Sequence, residues 1–90
     1  MYEKDNLNDA ILQANSLQFA FQASVFSNNY SEIMDVINRL DGSAIMVNEH
    51  SAFRVDWMPF AGRKSSGLGV GGIPHSIEEM SQSKMAVFSF

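Results

Sequence analysis

The feature that most constrains this chain is an alternation of helix and strand patterns over residues 7–47. A first helix is predicted over about Leu7–Asn15, where apolar residues recur at i, i+3, i+4 and i+7, with Asp5 or Asn6 placed to cap it. Aromatic and small residues then alternate over Phe19–Ser27, which predicts a strand. Two elements of different period therefore follow one another early in the chain.

A second helix and a second strand follow a turn at Asn28-Asn29-Tyr30. Ser31 is a predicted N-cap, Arg39 lies in the last turn, and Gly42 is placed for a left-handed cap beyond the helix end. The run Ala44–Val47 is apolar throughout, which is typical of a strand buried on both faces in a parallel sheet. The order helix, strand, helix, strand predicts an α/β fold.

The regular pattern stops at Asn48, and the segment from there to Pro74 holds five of the six glycines and both prolines. A structureless loop of this length is uncommon in a compact domain unless it is functional. Beyond it, Ser76 is a predicted N-cap of a short helix, with Glu79 at the capping-box position. The apolar residues of 84–90 predict a closing strand.

The charge balance and the residue types exclude several classes of function. Ten acidic residues against six basic ones give a formal charge of −4, whereas a nucleic-acid-binding protein needs surplus Lys and Arg to neutralise phosphates. The chain has no cysteine, which excludes disulfides, Cys-zinc sites and thiol catalysis by these residues. We find no run of about 18 apolar residues to span a membrane and no secretory signal, so we expect a cytoplasmic protein.

The segment Gly67–Gly72 matches the pattern G-x-G-x-x-G without its usual context. A dinucleotide-binding loop follows a strand and opens a helix, and the neighbouring residues predict neither. We therefore interpret the segment as a flexible turn and expect no cofactor-binding residue in it. His50 and His75 are too isolated for a zinc site, and Glu78-Glu79 is typical of a solvated helix face, so no metal site is predicted.

Aromatic residues concentrate at Phe53, Trp57 and Phe60. They are interpreted either as a local core beneath the loop, which is favoured for Trp57, or as the wall of a ligand pocket. Arg54 and Asp56 lie between them. These two residues either pair with each other or leave the Arg54 guanidinium free for an anionic substrate group.

Four blocks of the sequence resemble, in order and spacing, blocks of the aldehyde dehydrogenase family. The most specific is Pro59–Gly69, which is similar to the signature P-F-G-G-x-K-x-S-G-x-G. Phe21–Ser27 resembles the strand G-L-x-A-S-V-F-T, and Gly42–Asn48 resembles the strand G-x-v-x-V-N. Ile77–Lys84 is similar to the closing helix and turn. The resemblance covers essentially the whole chain.

The chain departs from the family pattern at three places. Ala61 replaces a usual glycine, and Val70-Gly71 stands where many members carry Arg-Glu. Phe19-Ala20-Phe21 replaces the usual Tyr-Gly-Leu. These differences concern the local geometry of loops and strands.

The resemblance implies that residues 1–83 are the C-terminal part of a three-layer, parallel-sheet catalytic domain and that residues 84–90 are an oligomerisation strand. In this family a Cys thiolate attacks the aldehyde, hydride passes to NAD or NADP, and a Glu activates water to hydrolyse the thioester. The chain has no Cys. The resemblance therefore implies that catalysis and cofactor binding belong to a longer parent enzyme, and we expect the isolated chain to be inactive and to bind no cofactor.

The resemblance also assigns the predicted site residues. Phe60 matches the Phe that lines the aldehyde tunnel, Phe53 lies near a second tunnel position, and Arg54 lies in a run similar to the branch acting on small polar or anionic aldehydes. Residues 84–90 resemble the strand that builds intersubunit sheets, so we expect a homo-oligomer. The alternative is a non-catalytic module that associates with itself through this apolar strand, since a core this small is marginal alone.

Overall fold

The computed structural model describes all 90 residues and contains seven short elements. In chain order they are α1 (Leu7–Asn15), β1 (Phe19–Ala20), β2 (Gln22–Val25), α2 (Tyr30–Arg39), β3 (Ala44–Val47), β4 (Arg63–Lys64) and α3 (Ile73–Glu79). The predicted alternation of helix and strand over residues 7–47 is confirmed, and the fold is of the mixed α/β class.

The two longer helices both begin at asparagine caps. Asn6 accepts a hydrogen bond at Oδ1 from the N–H of Asn8 (2.8 Å), as predicted for α1. Asn29 caps α2, because its Oδ1 accepts from the N–H groups of Ser31 (3.0 Å) and Glu32 (3.4 Å). The predicted Ser31 cap is therefore wrong. Asparagine caps a helix as well as serine does, and the earlier residue has the extended backbone that a cap requires.

The end of α2 lacks the left-handed glycine that the sequence predicts. Leu40 is the C-cap with an extended backbone (φ −77°, ψ 125°), and Gly42 is not among the residues with positive φ. A Cβ at Gly42 would lie 3.0 Å from Ile45 Cδ1 and 3.4 Å from the Phe21 carbonyl oxygen, so a larger residue there would require a small shift of the Ile45 side chain. The chain thus passes closely over Phe21 as it enters β3.

The strands form two separate pairs. β2 and β3 are parallel, as the sequence predicts, and their register sets Gln22 beside Ala44. The single strand predicted over Phe19–Ser27 is broken at Phe21, and β1 pairs with β4 in an antiparallel sheet. The Phe21 carbonyl accepts from both the N–H (2.7 Å) and the Oγ (2.8 Å) of Ser43, so the chain changes partners at that residue.

Four side chains are buried within the chain, and each belongs to a different element: Ile11, Ala20, Val36 and Met46. The sequence predicts β3 to be buried on both faces, yet Met46 is its one buried residue and Val47 is 37% exposed. That prediction is wrong for this chain by itself, because short helices and paired strands in a small chain cover too little surface. The three-layer arrangement stays a prediction.

The third helix begins earlier than its sequence predicts. α3 starts at Ile73, so the predicted Ser76 cap is wrong. Gly72 precedes the helix with φ 111° and offers no side-chain cap. Pro74 lies in the first turn, where its missing N–H costs no helical hydrogen bond.

Two segments differ from the sequence expectation in opposite directions. Residues 48–74, predicted to be structureless, contain β4 and an isolated bridge between Phe60 and Gly71. Residues 81–90 form no helix or strand, so the strand predicted over 84–90 has no partner within this chain. The division at residue 83 and the association role of this segment stay predictions. None of the helices has the length and apolar character needed to traverse a bilayer.

Candidate functional site

The backbone of Phe60 is fixed from two directions. Its N–H donates to the Gly71 carbonyl (3.0 Å), and the Gly71 N–H donates back to the Phe60 carbonyl (2.7 Å). The next carbonyl, that of Ala61, accepts a hydrogen bond from Ser43 Oγ. Because these anchors come from different parts of the chain, the predicted tunnel residue has a defined backbone position before any ligand binds.

The ring of Phe60 contacts two other side chains. It meets Phe21 edge to face, with ring centroids 4.9 Å apart and an interplanar angle of 86°. The Arg54 guanidinium carbon lies over the same ring, 4.4 Å from its centroid, at a distance typical of a cation–π contact. The Phe60 ring therefore contacts both the Arg54 side chain in the loop and Phe21, where the chain passes from β1 to β2.

The charge of Arg54 is not neutralised by a neighbouring carboxylate. Arg54 belongs to none of the ion pairs in the structure, so the possible pair with Asp56 is not formed. Its side chain lines an open cavity of about 590 Å³ together with Asp56, Ile73, Ile77 and Met80. The guanidinium is therefore exposed and forms no ion pair, and its role toward an anionic substrate group stays a prediction.

Phe60 lines a second open cavity, of about 840 Å³. Phe19 and Phe21 complete its aromatic side, and the glycine-rich segment 65–71 forms the other. Such apolar linings are typical of small-molecule sites. Phe19, Phe21 and Phe60 remain 63%, 36% and 43% exposed, so the cavity is open and these residues cover only one side of it.

Phe53 and Trp57 do not join this arrangement. Phe53 is exposed and lines neither of the two cavities. Trp57 is 69% exposed, so its interpretation as local core is wrong. Trp57 is a central residue of a turn that is closed by the Met58 N–H on the Val55 carbonyl (3.0 Å), and such a position lies at the surface.

The loop after Phe60 forms hydrogen bonds with the segment that joins α1 to β1 and with β1 itself. Lys64, with φ 52°, donates from Nζ to the carbonyls of Asn15 (2.7 Å) and Leu17 (3.0 Å). These carbonyls lie at the C-terminal end of α1 and just beyond it, where helix carbonyls lack intrahelical partners. In addition, Ser66 Oγ accepts from a backbone N–H of β1 (3.0 Å). The position of this loop therefore depends on residues far earlier in the chain.

Asp41 forms ion pairs with two residues of the same loop. Its Oδ1 lies 3.2 Å from Arg63 Nη1, and its Oδ2 lies 3.4 Å from Lys64 Nζ. The hydrogen bond from Arg63 is the largest influence and lowers the pKa of Asp41; desolvation opposes it, and Lys64 adds to the lowering. The carboxylate therefore holds both residues of β4.

The segment Gly67–Gly72 has the spacing of a phosphate-binding loop in different surroundings. β4 before it has two residues and runs antiparallel to β1, and α3 after it has seven residues. A dinucleotide-binding loop requires a parallel strand followed by a helix. The structure therefore supports the interpretation as a turn, and these residues do not fit the phosphates of NAD or NADP.

Sequence reasoning did not single out Phe21 as a site residue. The signal was present, because Phe21 stands where the family pattern carries Leu. A departure from a pattern marks a position but not its contacts. The aromatic contact with Phe60 follows from the strand break and from the bridge to Gly71, neither of which the sequence predicts.

Comparison with known proteins gives a consistent result over almost the whole chain. The sequence model of the aldehyde dehydrogenase family matches residues 1–86. Lactaldehyde dehydrogenase of Methanococcus maripaludis is 42% identical over 79 residues, which cover 88% of this chain and 17% of that protein. Aspartate-semialdehyde dehydrogenase 1 of Pseudomonas canavaninivorans is 37% identical over 81 residues, which cover 90% of this chain and 17% of that protein.

A solved structure shows the same similarity in three dimensions. Glyceraldehyde-3-phosphate dehydrogenase GapN from Methanocaldococcus jannaschii, complexed with NADP, matches with a TM-score of 0.80 at 34% identity. The match covers 88% of this chain and 17% of that chain. The ninety residues therefore span about 17% of the length of the relatives they match.

Proposed function

This chain belongs to the aldehyde dehydrogenase family, and from that premise we propose that it supplies a substrate-tunnel wall and an association strand to a dehydrogenase. That parent enzyme oxidises an aldehyde to a carboxylic acid with NAD or NADP. The observation that carries the proposal is the Phe60 ring, which Gly71 and Phe21 hold beside an open aromatic cavity.

The wall contributes to catalysis by position. An apolar ring beside the reacting carbon excludes water and orients the aldehyde toward the nucleophile. The two hydrogen bonds between Phe60 and Gly71 fix the backbone beneath that ring, so little reorganisation is needed when the substrate arrives. Phe53 remains a weaker candidate for the tunnel, because it lines neither cavity of this chain.

The oxidation itself requires groups that these residues do not include. The chain has no Cys, and its glycine-rich segment does not fit dinucleotide phosphates. The nucleophilic thiolate, the Glu that activates water and the nicotinamide site are therefore assigned to the remainder of the parent enzyme. We expect the isolated chain to be inactive.

Arg54 favours a small anionic aldehyde as the substrate. Its guanidinium is exposed, lies 4.4 Å from the ring centroid of Phe60 and has no carboxylate partner. A guanidinium matches the geometry of carboxylate and phosphate groups. Two of the relatives are named for aldehydes that carry such groups, aspartate semialdehyde and glyceraldehyde 3-phosphate, whereas lactaldehyde is neutral.

Residues 84–90 are the proposed association strand of a homo-oligomer. Their side chains are exposed, and the rings of Phe88 and Phe90 stack with centroids 6.0 Å apart. A free strand with unpaired N–H and C=O groups pairs readily with the sheet of another subunit.

The second candidate function, a non-catalytic module that associates with itself, rests on this same segment and needs no enzyme. A cytoplasmic location also stays a prediction.

A chimera tests the wall function. The ninety residues replace the matching segment of the Methanococcus maripaludis lactaldehyde dehydrogenase, which keeps its own remainder. We expect aldehyde-dependent reduction of NAD or NADP by the chimera and none by the isolated chain.

In the chimera, Phe60→Ala removes the wall, and we expect kcat/KM to fall by about tenfold or more. Phe60→Tyr is the matched control, because it keeps an aromatic ring on the same anchored backbone. Equal kcat/KM for the two variants would contradict the role of Phe60. Turnover by the isolated chain would contradict the assignment of the chemistry to the remainder.

A further inference from the structure

We propose that Phe21 is a positioning residue, which fixes the direction of the Arg54 guanidinium through the ring of Phe60. The inference rests on the proposed function in one respect only, the use of Arg54 to bind an anionic group of the substrate. Phe21 also lines the cavity beside Phe60, but in this scheme it acts on Arg54 only through the Phe60 ring.

The Phe60 ring contacts the side chains of both Arg54 and Phe21. The Arg54 guanidinium carbon lies 4.4 Å from the centroid of the Phe60 ring, and the Phe21 centroid lies 4.9 Å from the same point. A cation is attracted to the face of an aromatic ring, where the electron density is concentrated. The attraction therefore has a direction only while the Phe60 ring keeps one orientation.

Phe21 supplies that orientation. The backbone of Phe60 is fixed by Gly71, so the remaining freedom lies in its side-chain torsions. An interplanar angle of 86° means that an edge of one ring meets the face of the other, which is a preferred aromatic arrangement. Rotation of the Phe60 ring would break this contact and the contact with Arg54 together.

The position of Phe21 is in turn well determined. Its carbonyl accepts hydrogen bonds from the N–H (2.7 Å) and Oγ (2.8 Å) of Ser43 and a longer one from the N–H of Ala44 (3.4 Å). Gly42 passes so close that its missing Cβ would lie 3.4 Å from that carbonyl oxygen. The residue that orients the ring is thus held at the point where the chain leaves one sheet and enters the other.

The orientation of the Phe60 ring depends on an aromatic side chain at Phe21. The family pattern carries Leu at the position of Phe21, and a leucine side chain has no aromatic face or edge to set the Phe60 ring. Because Arg54 forms no ion pair, the contact with the Phe60 ring is the interaction within the chain that directs its charge.

Nuclear magnetic resonance of the uniformly labelled 90-residue chain tests the inference without any enzymatic readout. The Phe60 ring current should displace the Arg54 side-chain proton resonances upfield, and Phe60→Ala should abolish the displacement. We expect Phe21→Ala and Phe21→Leu to lose it, and Phe21→Tyr to retain it because an aromatic ring is kept. Phe26→Ala is the control and should leave it unchanged.

The variants keep the test decisive. Where circular dichroism shows that Phe21→Ala is unfolded, Phe21→Leu decides, since it carries the residue of the family pattern. An undisplaced Arg54 signal in the unsubstituted chain, or a full displacement in folded Phe21→Leu, would overturn the inference.

Kinetics in the chimera separate this inference from the function on which it rests. We expect Phe21→Leu to lower the kcat/KM ratio of glyceraldehyde 3-phosphate to lactaldehyde and Phe21→Tyr to restore it. An unchanged ratio in Arg54→Ala would contradict the proposal of an anionic substrate. The resonance shifts would still decide separately whether Phe21 positions Arg54. A changed ratio in Arg54→Ala with unchanged resonance shifts in Phe21→Leu would support the substrate and overturn positioning.

Discussion

The side-chain amide of Asn48 forms two hydrogen bonds with the backbone of Ser27, which extend the parallel pairing of β2 and β3 by one residue. Its Oδ1 accepts from the Ser27 N–H (2.9 Å), and its Nδ2 donates to the Ser27 carbonyl (3.0 Å). The Asn48 backbone N–H meanwhile donates to the Val25 carbonyl (2.8 Å). With φ 54°, Asn48 has already turned away from β3, yet its side chain continues the pairing of β2 and β3.

Replacing Asn48 should therefore destabilise the chain at the exit of its parallel pair. Asn48→Ala leaves both backbone groups of Ser27 without their partner and places alanine at positive φ, so we expect a loss of about 1–3 kcal/mol. The urea midpoint of the folded chain measures it. Asn38→Ala, on the exposed face of α2, should change stability by less than about 0.5 kcal/mol. Equal midpoints for the two variants would show that the amide pair contributes nothing.

Gly62 and Gly67 offer a matched pair in the loop after the candidate site. A Cβ on Gly62 would lie 2.6 Å from the backbone carbon of Ser66, which is too close for any rotamer change to relieve, whereas a Cβ on Gly67 would meet nothing nearer than 3.8 Å. We expect Gly62→Ala to cost about 1–3 kcal/mol and Gly67→Ala to be close to neutral. Thermal unfolding of both variants checks this, and equal Tm shifts would refute the close approach.

Much of the fold follows from residues that act locally. The spacing of apolar residues and the Asn6 cap suffice for α1, because such signals lie within one element. The apolar run of β3 correctly indicates a parallel strand, although only Met46 of that strand is buried. The predicted cap of α2 is wrong because Asn29 and Ser31 are close together and have similar capping ability. The predicted cap of α3 is wrong because the helix begins at Ile73, after a glycine that offers no side-chain cap. Sequence patterns of this kind locate an element better than they locate its ends.

The candidate site depends on contacts that no local pattern contains. Arg54 and Phe60 are near each other in sequence, so their association could be anticipated from the aromatic cluster. The contact of Phe60 with Phe21 requires the strand break and the bridge to Gly71, which are set by hydrogen bonds between distant segments. The exposure of Trp57 likewise follows from a turn that its aromatic neighbours did not reveal.

The stability of the chain should depend on pH through Asp41. Its pKa is lowered in the folded state, first by the hydrogen bond from Arg63, so the folded chain binds this proton less readily than the unfolded chain does. The resulting stabilisation is present above the unfolded pKa of about 3.9 and is lost as the pH falls through the lower folded value. We expect the urea midpoint of Asp41→Asn to fall less steeply with decreasing pH than the midpoint of the unsubstituted chain.

Asp5→Asn is the control for that titration, since Asp5 is exposed and forms no ion pair. The urea midpoint of Asp5→Asn should depend on pH as that of the unsubstituted chain does. If the midpoint of Asp41→Asn shows the same pH dependence, the contacts of Asp41 with Arg63 and Lys64 do not contribute to folding.

The C-terminal segment should control association, because its apolar side chains have no place to pack within the chain. Met85, Val87, Phe88 and Phe90 are each at least 75% exposed, and their backbone groups are free to pair with a strand of another copy. We expect sedimentation equilibrium to give oligomers for the full chain and monomers for a chain ending at Gln82. Removal of residues 1–4, which include the exposed side chains of Met1 and Tyr2 at the other end, is the control and should leave the oligomers intact. If the full chain is monomeric, the association strand and the self-associating module both fail, whereas the tunnel wall at Phe60 is unaffected, because none of its contacts involves this segment.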